Sequence, residues 1–423
     1  MEKRIVIIGA GHAGLSCAEA LRAKGFKGTL TVVDKQLGFP AERPPLSKGA
    51  IVHGCNENYT TPLLKAENWF IENKVDLVTG TQVASINRDA RKIYISNENS
   101  ISYTTLVIAT GATPIELPVT KKHPKSFTLR TLMDAQEISK AALSCNSALI
   151  IGGGYIGLEV AASLTDLGLK VTVVETEERP LAKIASRAVA ERLVELHQTK
   201  GVSFKFSNAI VDIDRFKNKF YAKFQNGESE VAEMIVTGVG VRPDSLLGTS
   251  SSLAHNENDK SSLVVDENCV TCDRHILAIG DVARRAGTER RIESVNNAQE
   301  DGKQAAAYIM KEVTNPRSVP WFWSEQYDKT LQIAGIVPIS DAYLERVVRP
   351  GKRDDGFSIW SFVDNDLKSV EAFSDPASFA IGKKFLAEGL SPSAATVVDL
   401  SIELKNVFKD KKNEENAKKI KLA

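Results

Sequence analysis

Two glycine-rich hexapeptides carry the first chemical signal in the chain. Gly9-Ala10-Gly11-His12-Ala13-Gly14 and Gly152-Gly153-Gly154-Tyr155-Ile156-Gly157 share the Gly-x-Gly-x-x-Gly spacing. In that spacing the first glycine permits a tight turn and the second lets the backbone approach a pyrophosphate. The third allows a helix to press against a strand. A helix starting inside the hexapeptide aims unpaired N–H groups and the positive end of its dipole at the phosphates. Each hexapeptide also has an acid at a matching distance: Asp34 follows Gly14 by 20 residues, and Glu175 follows Gly157 by 18. A carboxylate so placed can accept hydrogen bonds from ribose hydroxyls. The pattern predicts two dinucleotide sites in one chain.

Such sites need a strand, a turn, a helix and a second strand to hold them, and the flanking residues supply both frames. Arg4 to Ile8 is an apolar run that suits a strand buried on both faces. Leu15, Ala18 and Leu21 then fall on one helical face, Gly25 stands as the cap, and Thr29 to Val33 reads as the next strand. The unit returns with a strand over 148–151, a helix over 156–167, Gly168 as cap and a strand over 169–174. Leu106 to Gly111, Met234 to Gly240 and Ile276 to Gly280 are further buried strands running into glycine, and Pro114 and Pro118 suit a crossing between domains.

Composition narrows the function classes. A length of 423 residues fits two or three domains. A net charge of +1 gives no global field toward nucleic acid or anionic membrane, so neither is expected as a partner. Five cysteines, an odd and small number, fit a reducing cytoplasm better than a disulfide scaffold. No apolar run approaches the ~18–20 residues that cross a bilayer. Glu19 and Arg22 interrupt the apolar N-terminus, against a signal peptide. Trp321, Trp323 and Trp360 lie in the last hundred or so residues, which mix short alternating strands with helical stretches. The charged tail from Lys409 reads as a frayed helix or a disordered segment.

Glu175 bears on cofactor choice. A 2′-phosphate beside this carboxylate would be repelled by ~1 kcal/mol in water and ~4 kcal/mol at an effective dielectric of 20. Glu177 and Glu178 add to it, with Arg179 as the nearest opposing charge in sequence. NADH is favoured over NADPH.

Beyond these motifs the chain resembles a known family, the NADH-dependent ferredoxin reductases of Rieske-type dioxygenase and bacterial cytochrome P450 systems, within the glutathione-reductase-like flavoproteins. The resemblance runs from the first strand to about residue 400. It rests on Arg43-Pro44-Pro45-Leu46-Ser47-Lys48, Ala109-Thr110-Gly111, Leu129-Arg130-Thr131, Gly152 to Glu159, Gly280-Asp281-Val282-Ala283, Glu293 to Ala298 and Pro320-Trp321-Phe322-Trp323-Ser324. It implies an α/β fold of two Rossmann-like domains, an FAD domain (1–113 and 243–319) interrupted by an NAD domain (114–242), with a C-terminal α+β domain (320–423) over the flavin. It also implies tight, non-covalent FAD and NADH as donor, with hydride passing to flavin N5 and electrons leaving singly to a [2Fe–2S] ferredoxin.

Residue roles follow from the same resemblance. Ala13, Asp34, Lys48, Val83, Arg130, Asp281 and Val295 look like FAD contacts, joined by Gly9, Gly11, Gly14, Arg43, Ala109, Thr110, Gly111 and Gly280. Asp281 would hold the ribityl chain and Lys48 would lie near N5. Glu159 would pair with Lys48 and touch the nicotinamide, and Trp323 would flank the isoalloxazine. Gly152, Gly154, Tyr155, Ile156, Gly157, Glu175 and Gly240 would complete the NAD site. On their own, Lys48 and Glu159 would read as surface charges and Trp323 as core.

Absences count as well. Disulfide reductases of this superfamily carry a redox cysteine pair in the first domain, and peroxide-reducing relatives carry a single cysteine. Here Arg43 to Lys48 stands instead, with no cysteine within six residues, so electrons are expected to leave without a thiol relay. Cys269-Val270-Thr271-Cys272 is a Cys-x-x-Cys without a second pair and reads as a turn. No metal ligand set is present, so the iron–sulfur carrier must be a separate protein. Arg284, Arg285, Arg290 and Arg291, around Glu289, are a candidate docking patch for an acidic ferredoxin. The tail from Lys405, with seven lysines against three acids, is the competing one. Another acceptor (rubredoxin, a nitrite system, a small molecule) or an NADH-responsive interaction protein resembling apoptosis-inducing factor would use the same two halves.

Overall fold

A computed structural model describes residues 2–422 other than 57, 96–98, 121–122, 289, 315 and 341–342. Arg4–Ile8, as expected, is a strand buried from Ile5 onward. It pairs in parallel with Thr29–Val33 on one side and Thr105–Ile108 on the other. Asp76–Val78 and Ile276–Ala278 complete a five-stranded parallel sheet. Branched apolar side chains on both faces suit strands covered on both sides. The helix His12–Ala23 buries Leu15, Ala18 and Leu21 and lies against the helix Val295–Met310.

The second sheet repeats this plan. Ser147–Ile151 sits between Lys170–Val174 and Met234–Thr237, flanked by Ser203–Lys205 and Ser126–Thr128, all parallel. Four strands match in order. The fifth strand differs in origin: Ile276–Ala278 reaches the first sheet after the second has been laid down, whereas Ser126–Thr128 precedes the second unit. The helix of this unit spans Tyr155–Asp166, one residue earlier at each end than the pattern suggested.

The last part is a five-stranded antiparallel sheet, in the order Trp321–Gln326, Lys329–Gly335, Asp366–Phe373, Phe357–Val363, Leu344–Pro350. Trp360, Phe362 and Phe385 form its core. Of the two readings of the charged tail, frayed helix or disorder, the helix is the one found, over Leu404–Leu422. Leu404, Val407 and Phe408 dock its first turns on that core, and Lys412 pairs with Glu388 at 2.5 Å. Among the described residues no helix is long and apolar enough to cross a membrane.

Candidate active site

A cleft of about 970 Å³ runs along the glycine ends of the strands of both parallel sheets, where open α/β sheets place their ligands. Every residue given a site role above lines it except Gly14 and Gly157. These two sit beneath the loops: a Cβ at Gly14 would stand 2.0 Å from the Gly9 carbonyl oxygen, and one at Gly157 would stand 2.1 Å from that of Gly152. They serve the close helix–strand approach. Gly11 meets nothing within 4 Å of an added Cβ, so its backbone faces open cleft.

The two acids are held alike. Asp34 Oδ2 accepts from the Ala10 N–H at 2.6 Å and Oδ1 from the Gln36 N–H at 2.7 Å. Glu175 Oε2 accepts from the Gly153 N–H at 2.7 Å and Oε1 from the Glu177 N–H at 3.0 Å. Each carboxylate thus stitches its glycine loop to the end of the next strand while lining the cleft. Sequence reasoning assigned them to ribose and missed the stitch, which spacing alone does not reveal.

Around the first loop gathers buried positive charge. Arg43 donates to the Arg130 carbonyl, and Arg130 Nη2 lies 3.1 Å from Asp281 Oδ2. Burial, then the neighbouring Arg130, pulls the Arg43 guanidinium down to about 10, with Asp34 and Asp281 opposing. His12 is pushed down to about 4, first by burial and then by Arg43. Gly11 caps the His12–Ala23 helix without a side chain, so its first N–H groups face the same space. Desolvated cations at an open helix N-terminus beside a backbone with room are what a diphosphate requires, and these residues fit FAD. Asp281, in the turn Gly280–Val282, offers a carboxylate to a hydroxylated chain. Thr110 Oγ1 donates to the Asp244 carbonyl at 2.6 Å, and Ala13, Val83, Ala109, Gly111 and Val295 supply largely apolar walls.

Around the second loop the charge is different. Glu175 and Glu177 line the cleft, and Lys183, which sequence reasoning did not single out, pairs with Glu177 at 2.7 Å. Arg179 does not oppose these acids as its position suggested. Its guanidinium is 3.1 Å from the carbonyls of Ala182 and Ala185. The Tyr155 hydroxyl is buried with no hydrogen-bond partner among the described residues, and its ring lies 4.3 Å from that of Phe322. Gly240 lines this half with a left-handed φ of +100°.

Where the two units meet, Lys48 Nζ stands 3.0 Å from Glu159 Oε1. Glu159 is 6% exposed. Ser324 Oγ donates to its Oε1 at 2.6 Å and Ser47 Oγ donates to Oε2. The two serines were quoted in their motifs but given no role. Both lie over a hundred positions away, a link that local pattern cannot supply. Trp323, stacked on Trp321 at 5.3 Å, lines the cleft and also a second hollow of about 850 Å³ on the outer surface. Lys48, His12 and Val295 line both as well, so these residues form a shared wall.

The arginine cluster needs correction. Arg285 pairs with buried Asp301 at 3.4 Å. Arg291, only 5% exposed at its side chain, holds Asp259 at 3.1 Å and also Glu293. Arg284 is half-buried and donates to the Thr288 carbonyl. Arg285 is held at a buried carboxylate, Arg291 between two partly exposed ones and Arg284 at a carbonyl, so the four do not make one exposed face. Arg290 alone among them is exposed, and Glu289 lies outside the described residues. Cys269 is buried, with its thiol pushed up by that burial and accepting from Arg317 Nη2 at 3.3 Å. Cys272 is exposed, and neither is in a disulfide. Among the described residues no cluster of three metal-ligating side chains exists.

Comparison with known proteins agrees with this geometry. Residues 3–302 match the pyridine nucleotide-disulphide oxidoreductase family, and residues 321–408 match the reductase C-terminal family. Rhodocoxin reductase of Rhodococcus erythropolis is 37% identical over 410 residues, 95% of this chain and 93% of that protein. Putidaredoxin reductase of Pseudomonas putida is 30% identical over 415 residues, 96% of each. Among solved structures, the ferredoxin reductase for the CYP199A2 system from Rhodopseudomonas palustris superposes with a TM-score of 0.89 at 29% identity, covering 96% of this chain and 99% of that one. The reductase in the covalent putidaredoxin reductase–putidaredoxin complex also gives 0.89, at 30% identity, covering 96% and 98%. With both dinucleotide units, the C-terminal sheet and near full-length relatives in agreement, the chain belongs to the pyridine nucleotide-disulphide oxidoreductase family, in the form that ends in the reductase C-terminal domain.

Proposed function

We propose that this protein is an NADH:ferredoxin oxidoreductase that holds FAD at the first glycine loop and receives NADH at the second. The observation that carries the reading is the pair of half-buried Lys48 and buried Glu159, set between two dinucleotide loops with no cysteine among the residues that line the cleft. FAD in this place converts the two-electron chemistry of NADH into single-electron delivery. Arg43, Arg130 and the helix N-terminus hold the diphosphate, Asp34 the adenosine ribose, and Asp281 the ribityl chain. Glu175 receives the ribose of NADH. Glu159, fixed by two serines, orients Lys48 at the junction and keeps water from it.

The names of the relatives, rhodocoxin reductase and putidaredoxin reductase, and the covalent complex with putidaredoxin support a [2Fe–2S] ferredoxin as acceptor for an oxygenase or P450. We place that partner over the outer hollow, against Trp321 and the shared wall at Trp323. Lys65, paired with Glu19, and Lys303, paired with Glu300, line this hollow together with Glu42 and Glu325, and Lys383 stands 4.6 Å from the Trp321 ring centroid, in place of the arginines. A cytoplasmic setting fits its free cysteines. The division into 1–113 with 243–319, 114–242 and 320–423 is supported by one large sheet in each part, with the strand pair Ala112–Pro114 and Val241–Pro243 at the crossings.

The test is steady-state turnover of the FAD-loaded enzyme with NADH and a panel of ferredoxins. Rising salt should raise the KM for ferredoxin and leave ferricyanide reduction nearly unchanged, because steering acts over a Debye length of ~10 Å at 0.1 M. Ready reduction by NADH with no ferredoxin turning over would reassign the acceptor. A slow reaction ending in a long-lived charge-transfer complex would favour an interaction protein.

A further inference from the structure

Behind Glu159 a line of hydrogen bonds runs away from the cleft through the interior. Ser324 Oγ, 2.6 Å from Glu159 Oε1, is 3.0 Å from Gln326 Nε2. Gln326 Oε1 is 2.8 Å from His197 Nε2, and His197 Nδ1 is 3.3 Å from the Tyr327 hydroxyl. Ser324, Gln326 and His197 are all at most 2% exposed, while Tyr327 is half-buried. Three are on the first C-terminal strand and its turn, and His197 is in the last turn of the helix Arg187–Thr199.

The direction of every bond follows from its end. Glu159 faces Lys48 and takes hydrogen bonds from two serines, the surroundings of a carboxylate that only accepts. Ser324 has one proton and gives it to Glu159, so its oxygen must accept from the amide nitrogen of Gln326. That fixes the amide orientation and turns its oxygen toward His197. The imidazole must then carry its proton on Nε2, which leaves Nδ1 as an acceptor facing the Tyr327 hydroxyl, a group that Thr165 also meets. Burial keeps that ring neutral.

We propose that Tyr327, His197, Gln326 and Ser324 form a one-way hydrogen-bond chain that holds Glu159 as an acceptor beside Lys48, making them positioning residues for the nicotinamide side of the cleft. The inference rests on the function proposed above for the Lys48–Glu159 pair. The chain removes from Glu159 the freedom to rotate, so Lys48 keeps one position. It also makes the His197 tautomer a remote reporter of the hydrogen bonds at Glu159, through groups that touch no cofactor.

The test is nitrogen NMR of histidine-labelled holoenzyme at neutral pH, with His197 assigned by its loss in His197→Gln. The Nε2–H tautomer is expected. In Ser324→Ala the signal should become an average of both tautomers, and flavin reduction by saturating NADH should slow by about tenfold with KM for NADH little changed. Gln326→Leu should do the same, and Ser324→Ala is the smaller change should that variant fail to fold. An Nδ1–H tautomer or an imidazolium in the wild type would overturn the chain, as would unchanged tautomer and rate in Ser324→Ala. Glu159→Gln separates the two readings. If it leaves reduction by NADH unchanged, the assigned role of the pair fails. If it slows reduction while both chain variants do not, the chain alone fails.

Discussion

The two dinucleotide units share strand order, helix, glycine loop and the carboxylate that stitches loop to strand, yet their surroundings differ in kind. The first loop is backed by half-buried Arg43 and Arg130, a neutral His12 and Asp281. The second faces Glu175 and Glu177, and its cation, Lys183, is 80% exposed at the side chain. Duplicated backbone therefore supplies the shape for a dinucleotide, and the side chains decide how long it stays. Buried, pre-paid charge suits a resident cofactor, whereas an open, acidic cradle suits a ligand that must leave at every turnover.

The sharpest break of this comparison is a methyl group in each loop. Gly9 has a φ of +108° and its added Cβ would stand 2.2 Å from the Ala109 carbonyl oxygen. Gly152 has a φ of +104° and a Cβ 2.5 Å from that of Gly238. Gly9→Ala should give colourless protein, with FAD affinity lowered by about a hundredfold or more in fluorescence titration. Gly152→Ala should stay yellow and raise the KM for NADH by about tenfold. Equal loss of FAD in both would mean that the units are not separable.

A smaller effect tests the acids. Glu175→Ala should reduce the preference for NADH over NADPH by about tenfold, since ~1.4 kcal/mol of differential interaction is one decade. Asp34→Ala should weaken FAD retention and leave that preference alone. A wild-type enzyme already preferring NADPH would overturn the placement of Glu175.

Smaller still is a pH effect confined to one unit. His12 and Tyr155 occupy the same hexapeptide position. The His12 value falls from 6.5 to about 4 on folding, so the unfolded chain binds the extra proton between them. Its contribution to stability is complete above the unfolded value and is lost as pH drops toward 4. The melting temperature of FAD-free protein should fall over that window, and less steeply in His12→Gln. Tyr155→Phe should not change the slope, because burial moves the Tyr155 hydroxyl upward, away from the window. The least effect is expected from Cys269→Ser with Cys272→Ser, with ferredoxin turnover within about twofold of wild type, because the pair forms no disulfide and lies outside the cleft. A loss beyond tenfold in folded protein would reveal a thiol function.

Much of this was legible in the sequence because it is local. The strands at Arg4 and Thr29 and the helix of the second unit follow from short-range period and spacing, and came out within a residue. What escaped is set by distant partners. Ser47 and Ser324 reach Glu159 across more than a hundred positions. Arg285 and Arg291 looked like surface charge until Asp301 and Asp259 arrived beside them. The tail looked unable to order itself, and Phe408 orders it by docking on Phe385.

The strand Trp321–Gln326 shows what the strict alternation of side chains along a strand entails. Trp321, Trp323 and Glu325 line the outer hollow, while Phe322 meets Tyr155 and Ser324 and Gln326 reach toward Glu159. Six residues thus write two messages in alternate letters, one facing the hollow and one the interior, with Trp323 read on both sides. The register is pinned from Trp321 opposite Ala334 to Gln326 opposite Lys329. One inserted or deleted residue would exchange every letter between the two readers. Substitution at one position, Trp323 apart, can therefore alter one side of this strand and spare the other, but no change of length in this hairpin can.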